Sequence, residues 1–427
     1  MAKSRKTIWI ALASFIAGAV LMLLAANAGS GEKKIDRPLG RLYATDDAQF
    51  RRDMSLLLGP PILDGNKVEV LLNGDRIFAA MLAGIRQAKR TINFETYIYW
   101  SESIGREFAD ALSERARAGV KVHLLLDWIG SAKVEERYLE EMRRAGVEVE
   151  RYHEPRWSRL PRLNNRTHRK LLVIDGALGF TGGVGIADKW RGTAQDADHW
   201  RDTHFRVEGP VVAQMQAVFT DNWTKATTRV LHGSDYFPAL QPQGGMPAQM
   251  FGSSPSGGSE SMHLMYLMAV TAAQRSIDLS SSYFVPDDLT VATLVEAARR
   301  GVKIRIITPG KEIDSDIVRR ASRARWGPLL RAGVLIAEYQ PTMFHCKVLV
   351  VDQLLVSVGS TNFDPRSFRL NDEANLNVLD AAFAKQQAAV FDADLAMASP
   401  VSFEAWQARP MTEKLMEHAA SLLGGQL

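Results

Sequence analysis

His168-Arg169-Lys170-Leu171-Leu172-Val173-Ile174-Asp175 and His345-Cys346-Lys347-Val348-Leu349-Val350-Val351-Asp352 carry His, Lys and Asp at one shared spacing. Seven positions after each Asp a small-residue turn begins, Gly182-Gly183-Val184-Gly185 in the first copy and Gly359-Ser360-Thr361-Asn362 in the second. One short motif is weak evidence of chemistry, but a repeat with the same sequel is strong.

The repetition extends outward from the motifs. In the first half an apolar helix pattern ends at Lys89-Arg90. A strand-like run Ile92 to Trp100 follows, then a helix to Gly119, a strand Val120 to Leu126, a helix near Val134 to Arg144, and Gly146-Val147-Glu148-Val149. The second half keeps that order through Gln274-Arg275, Ile277 to Val285, a helix to Gly301, Val302 to Ile307, a helix, and Gly333-Val334-Leu335-Ile336. Strands alternating with helices of this length build α/β units around a parallel or mixed sheet. The expected fold is α/β, with two duplicated lobes, each a mixed sheet flanked by helices. The period of two along a strand sets His and Lys of each copy on one face, at the mouth of a strand whose apolar remainder suits burial on both sides. Asp175 and Asp352 fall about 16 Å further along an extended chain. They belong to the catalytic motif by sequence and are read as anchors for neighbouring loops.

The motifs, their spacing and the turns resemble the phospholipase D superfamily. The stretches FETYIYW, HRKLLVIDGALGFTGG, EYQPTMFHCK and VGSTNFDPRSFRLNDEANL are similar, more narrowly, to bacterial cardiolipin synthases within it. The resemblance runs from Val68 to Pro400. Together with apolar length, Gly and Pro content and helical spacing elsewhere, it divides the chain into an anchor (1–30), a linker (31–66), a phospholipase D-like lobe (67–230), an inter-lobe linker (231–246) rich in Gly and Pro, a second such lobe (247–400) and a C-terminal amphipathic helix (401–427).

Displacement at a phosphodiester needs a nucleophile, a proton for the leaving alkoxide, and donors around the non-bridging oxygens. His168, Lys170, His345 and Lys347 supply all three, and imidazole titrates near neutral pH unaided. Asn362, Gly183 and Ser360, in the two turns, are the expected substrate-phosphate contacts. The chemistry calls for no metal and no cofactor. The resemblance implies a two-step route through phosphohistidine, with His168 as nucleophile and His345 as general acid and base; the residues alone leave these roles exchangeable. One departure from the superfamily pattern is Gly185, where Asn is common. A working imidazole also needs a carboxylate to fix its tautomer. Asp202 beyond His168, with Asp198 as the alternative, and Glu373 beyond His345 sit at similar offsets.

Lys3, Arg5 and Lys6 precede Ile8 to Ala26, which is uncharged and long enough for one hydrocarbon span. The expectation is a single-pass transmembrane helix in a bacterial inner (cytoplasmic) membrane, and the alternative is a cleaved secretory signal ending at Ala26-Asn27-Ala28. Basic residues on both flanks leave the orientation open. The net charge of +4 and pI of about 9.0 suit an anionic partner. The segment Arg156 to Arg166 interleaves arginines with Trp157, Leu160 and Leu163 as an interfacial segment on anionic lipid does. Gly252 to Ser259 reads as a turn that could cradle a headgroup. Cys346, the single cysteine, excludes an internal disulfide. The resemblance together with the anchor points to a phosphatidyltransferase acting on phosphatidylglycerol at a membrane, with nucleic acid not expected as a partner. A phospholipase D-type hydrolase and a non-catalytic lipid-binding protein are the competing functions.

Overall fold

The computed structural model describes residues 2–28, 35–154, 164–255 and 260–426. The first half supplies β1 (Leu63–Leu72), β2 (Thr91–Thr96), β3 (Lys121–Asp127), β4 (Glu148–Tyr152), β5 (Arg166–Thr167), β6 (Leu171–Ile174), β7 (Leu178–Gly182) and β8 (Thr203–Glu208). The second supplies β9 (Met246–Ser253), β10 (Ser276–Ser281), β11 (Lys303–Pro309), β12 (Leu335–Tyr339), β13 (Lys347–Val351), β14 (Leu355–Gly359), β15 (Asn371–Leu379) and β16 (Ala398–Val401).

The repeat seen in the sequence becomes a repeat of topology. The first half has the strand order β1-β8-β7-β6-β2-β3-β4, and the second has β9-β15-β14-β13-β10-β11-β12 with β16 added at its edge. In both, the strands joined through helices pair in parallel and the hairpin strands pair antiparallel. The fold is the expected mixed α/β duplication, but the lobes are not separate bodies. β1 and β9 pair antiparallel at Leu63 with Ala248 and Asn66 with Met246, so hydrogen bonding runs unbroken from one half to the other.

Side-chain alternation assembles the layers. Leu172 and Ile174 of β6 pack with the first-half helices, while Leu349 and Val351 of β13 do the same in the second half. Leu171 and Val173 face the other way into a shared core with Val350, Val356 and Val358. Each motif strand is therefore buried on both faces, which is why its sequence is a continuous apolar run.

Two boundaries differ from expectation. The stretch read as linker 31–66 holds a helix, Ala48–Leu58, because Phe50, Met54 and Leu58 recur at helical spacing and bury against the second-half core; Asp47 caps it through Gln49 N at 2.8 Å. The C-terminal segment forms two helices, Phe403–Gln407 and Met411–Ser421, broken at Pro410. At the other end a helix spans Ala2–Ala28, with Ile8, Trp9, Phe15, Leu21 and Met22 exposed. Among the described residues no helix is long and apolar enough to cross a membrane, so the expected span over Ile8 to Ala26 stands here as a helix and no more. Most of the arginine-rich segment (155–163) and part of the Gly/Ser loop (256–259) lie outside the described residues.

Candidate active site

Both motif histidines face one cavity of about 120 Å3, lined also by Lys170, Asn362, Tyr97, Trp190, Trp200, Tyr283 and Asp314. What brings them together is strand exchange between the halves. β5 pairs in parallel with the start of β15, and His168 N donates to Asp372 O at 2.9 Å. In the pseudo-equivalent place Arg201 N donates to Met343 O at 3.0 Å and His345 N donates to Arg201 O at 2.8 Å. Each histidine is thus held against the carboxylate-bearing strand of the other half.

The consequence is a crossed pairing. His168 Nδ1 lies 3.0 Å from Glu373 Oε1, and His345 Nδ1 lies 2.8 Å from Asp202 Oδ2. Similar offsets along the chain suggested a partner within each half. The structure gives each imidazole the carboxylate of the opposite one, since β5 lies along the start of β15 beside Glu373 and His345 N is bonded to Arg201 O beside Asp202. Asp198 is exposed and takes no part. With Nδ1 engaged, Nε2 of His168 is left for the cavity.

Both carboxylates are fully buried, and each takes a further donor. Ser360 Oγ donates to Glu373, and Trp190 Nε1 donates to Asp202 Oδ2 at 2.9 Å. This places two expected phosphate contacts elsewhere. Ser360 holds Glu373. Gly183 donates its N–H to Thr203 O at 3.1 Å, and a Cβ there would stand 2.2 Å from Asp202 Oδ1. Its lack of a side chain makes room for the carboxylate. Gly185, the departure from the superfamily pattern, has an equivalent explanation: a Cβ there would come within 2.8 Å of Ile98 and 3.3 Å of the Trp190 ring. That indole supplies the donor to Asp202 which Ser360 supplies to Glu373. Asn362 does line the cavity, with its Oδ1 accepting from Ser282 Oγ at 2.6 Å.

The lysines are tied down as well. Lys170 Nζ donates to His168 O at 2.7 Å; Lys347 Nζ donates to His345 O at 2.8 Å and to Ser282 Oγ at 2.5 Å. Asp175 and Asp352, counted with the catalytic set by their motif, do not line the cavity. Asp175 Oδ1 accepts from Arg90 N at 2.7 Å and Thr91 N at 2.9 Å, and Asp352 Oδ1 accepts from Arg275 N at 2.7 Å and Ser276 N at 3.0 Å. They anchor the starts of β2 and β10.

The expectation of unperturbed imidazoles also changes. Burial, only partly opposed by Glu373, lowers His168 to about 4, and burial with Lys347 lowers His345 to about 3. Burial and Lys347 bring Lys170 down to about 7. Glu373 and Asp202 are lowered despite burial, because His168 and His345 respectively, with the lysines, outweigh it. Burial, with Lys170 and Lys347 close by, disfavours positive charge on the imidazoles, a balance that a phosphate anion beside them would reverse. Among the described residues no group of His, Cys, Asp and Glu is arranged to hold a metal ion.

The family profile described as "Cardiolipin synthase, PLD-like domain" matches residues 81–223 and 266–395, the two segments that carry the motifs. The chain belongs to the cardiolipin synthase family. A cardiolipin synthase of Geobacillus sp. (strain WCH70) is 37% identical over 371 residues, covering 85% of this chain and 73% of that protein. Cardiolipin synthase A of Pseudomonas syringae pv. syringae (strain B728a) is 36% identical over 354 residues, covering 83% and 73%. Phosphatidylserine synthase of Haemophilus influenzae has a similar fold, with a TM-score of 0.69 at 13% identity over 89% of this chain and all of that one.

Sequence reasoning missed part of the wall of this cavity. Trp190, Trp200 and Tyr97 pack against the imidazoles, with ring centroids 5.3, 5.5 and 5.2 Å away. Glu95 was also missed: fully buried, it accepts from Thr167 Oγ1 and from Asn222 Nδ2 at 2.7 Å, and so fixes the residue before His168. Tyr97 and Glu95 stand in the FETYIYW stretch, where a polar Glu inside an apolar strand run was the available signal.

Proposed function

We propose that this protein is a phosphatidyltransferase that makes cardiolipin from two molecules of phosphatidylglycerol, releasing glycerol. The observation that carries the reading is the meeting of two imidazoles in one cavity, each paired to a buried carboxylate and accompanied by its lysine. His168 attacks phosphorus through Nε2 and forms a P–N bond while the bond to the glycerol oxygen breaks. His345, charged once the phosphate anion is present, passes its proton to that oxygen. The incoming hydroxyl then returns a proton to His345 as it displaces His168. Lys170, Lys347 and Asn362 hold the non-bridging oxygens. Asp202 and Glu373 fix the tautomers and steady the charged imidazoles.

In this reading the helix Ala2–Ala28 anchors the enzyme to the bacterial cytoplasmic membrane. Its uncharged run from Ile8 to Ala26 supports this, as does the course of the chain that follows. Ile35 N donates to Glu260 Oε2 at 2.9 Å, and Glu260 Oε1 accepts from Arg369 Nε at 2.7 Å. Arg369 ends the short helix Pro365–Arg369, whose Arg366 lines the cavity, so the chain leaving the anchor is pinned beside the cavity. The test is incubation of the full chain with vesicles of labelled phosphatidylglycerol. Cardiolipin plus glycerol is the expected result; phosphatidic acid alone would make the protein a hydrolase, and cleavage of single-stranded DNA would overturn the lipid assignment.

A further inference from the structure

A carboxylate stands in the wall of a cavity built for an anion. Asp314, on the loop between β11 and the helix Asp316–Ala324, lines the cavity with both histidines. Its two oxygens accept from Tyr283 Oη at 2.9 and 2.8 Å, and the residue keeps accessible surface. The other carboxylate of the wall, Asp364, is committed to capping the helix Pro365–Arg369 through Ser367 N at 2.7 Å. Asp314 caps no helix. A fixed negative group repels a phosphate but accepts hydrogen bonds from neutral hydroxyls, and such bonds to a charged acceptor are the stronger class. Asp314 shares the cavity wall with Trp200, which packs against His345, and with Tyr97, which packs against His168. Lys347 and Lys189 are the cations that act on it, and Lys189 lies over the Trp200 ring that packs against His345.

We propose that Asp314, steadied by Tyr283, is a subsite for the free hydroxyl groups of a polyol, and that it selects a glycerol-bearing acceptor over water and over a simple alcohol. This rests on the phosphatidyltransferase reading above. In the step it serves, the acceptor O–H attacks phosphorus. A P–O bond forms, the P–N bond to His168 breaks with its electron pair returning to the imidazole, and the hydroxyl proton passes to His345. Asp314 binds a hydroxyl beside the reacting one and stays outside the bond changes.

The experiment measures how the phosphoenzyme partitions, which is independent of how fast it forms. Full-length protein in phosphatidylglycerol vesicles is given labelled glycerol or labelled 1-propanol, and the cardiolipin to phosphatidic acid ratio is recorded alongside. The wild type is expected to prefer glycerol to propanol. D314A is expected to reduce both that preference and the cardiolipin ratio about tenfold, the effect of losing one hydrogen bond to a charged group. Y283F, which leaves the carboxylate but frees it, is expected to reduce both by less, and it carries the test if D314A yields no product. Unchanged ratios in both variants would overturn the subsite while leaving the transferase reading intact. A loss seen with ethanolamine as acceptor and not with glycerol would make it an ammonium site and overturn the proposal. Wild-type protein giving phosphatidic acid alone would overturn the transferase reading and this inference with it.

Discussion

An imidazole sealed beside ammonium groups is held neutral, and that state suits a nucleophile but not a proton donor. Substrate charge is what separates the two roles. His168→Asn and His345→Asn are each expected to cut phosphatidyl transfer by about three orders of magnitude or more with the thermal unfolding midpoint preserved. If His168 is the nucleophile, acid-quenched mass spectrometry finds a phosphatidyl adduct on that residue when an acceptor is withheld. The same chemistry sets a pH dependence. Folding depresses both imidazoles, to about 4 and about 3, from the ordinary value of roughly 6.5. Between those limits the unfolded chain binds protons that the folded chain does not. Stability is therefore full above about 6.5 and falls as pH drops toward 4, by on the order of 2 kcal/mol per histidine at pH 5. Urea melts at pH 7 and pH 5 check this, and the His168→Asn/His345→Asn double variant is expected to lose less.

At the scale of elements, the third member of each motif is an architectural part. Asp175 and Asp352 both sit in the left-handed region, at φ of 53° each, immediately after a motif strand. From there each carboxylate reaches the backbone N–H groups that open the neighbouring strand, which would otherwise be unsatisfied. Asp175→Ala and Asp352→Ala are expected to cost about 1–3 kcal/mol each in thermal or urea unfolding, while the remaining folded enzyme keeps turnover near the wild-type rate. A large loss of turnover without loss of stability would return these residues to the chemistry. The helix Ala48–Leu58 teaches a related lesson. Its Phe50, Met54, Leu58 spacing was readable, but the Gly- and Pro-containing surroundings masked it.

Across the whole molecule, the decisive contacts join residues some 143 and 205 positions apart, His345 with Asp202 and His168 with Glu373. Double-mutant cycles on unfolding free energy are expected to show coupling of about 0.5–3 kcal/mol for His168 with Glu373 and for His345 with Asp202. His168 with Asp202, and His345 with Glu373, should be close to additive. Strong coupling within a half would refute the crossed arrangement. The amino-acid order alone determined the duplication, the α/β class, the motif strands buried on both faces, and the reactive His and Lys pairs, because periodicity and spacing are local properties of the chain. Tertiary structure alone decided which carboxylate serves which histidine, that Gly183 and Gly185 leave room for Asp202 and Trp190, and that burial lowers the pKa of both imidazoles. Those outcomes depend on strand pairing and burial between halves, and neither is written in the spacing of residues along one of them.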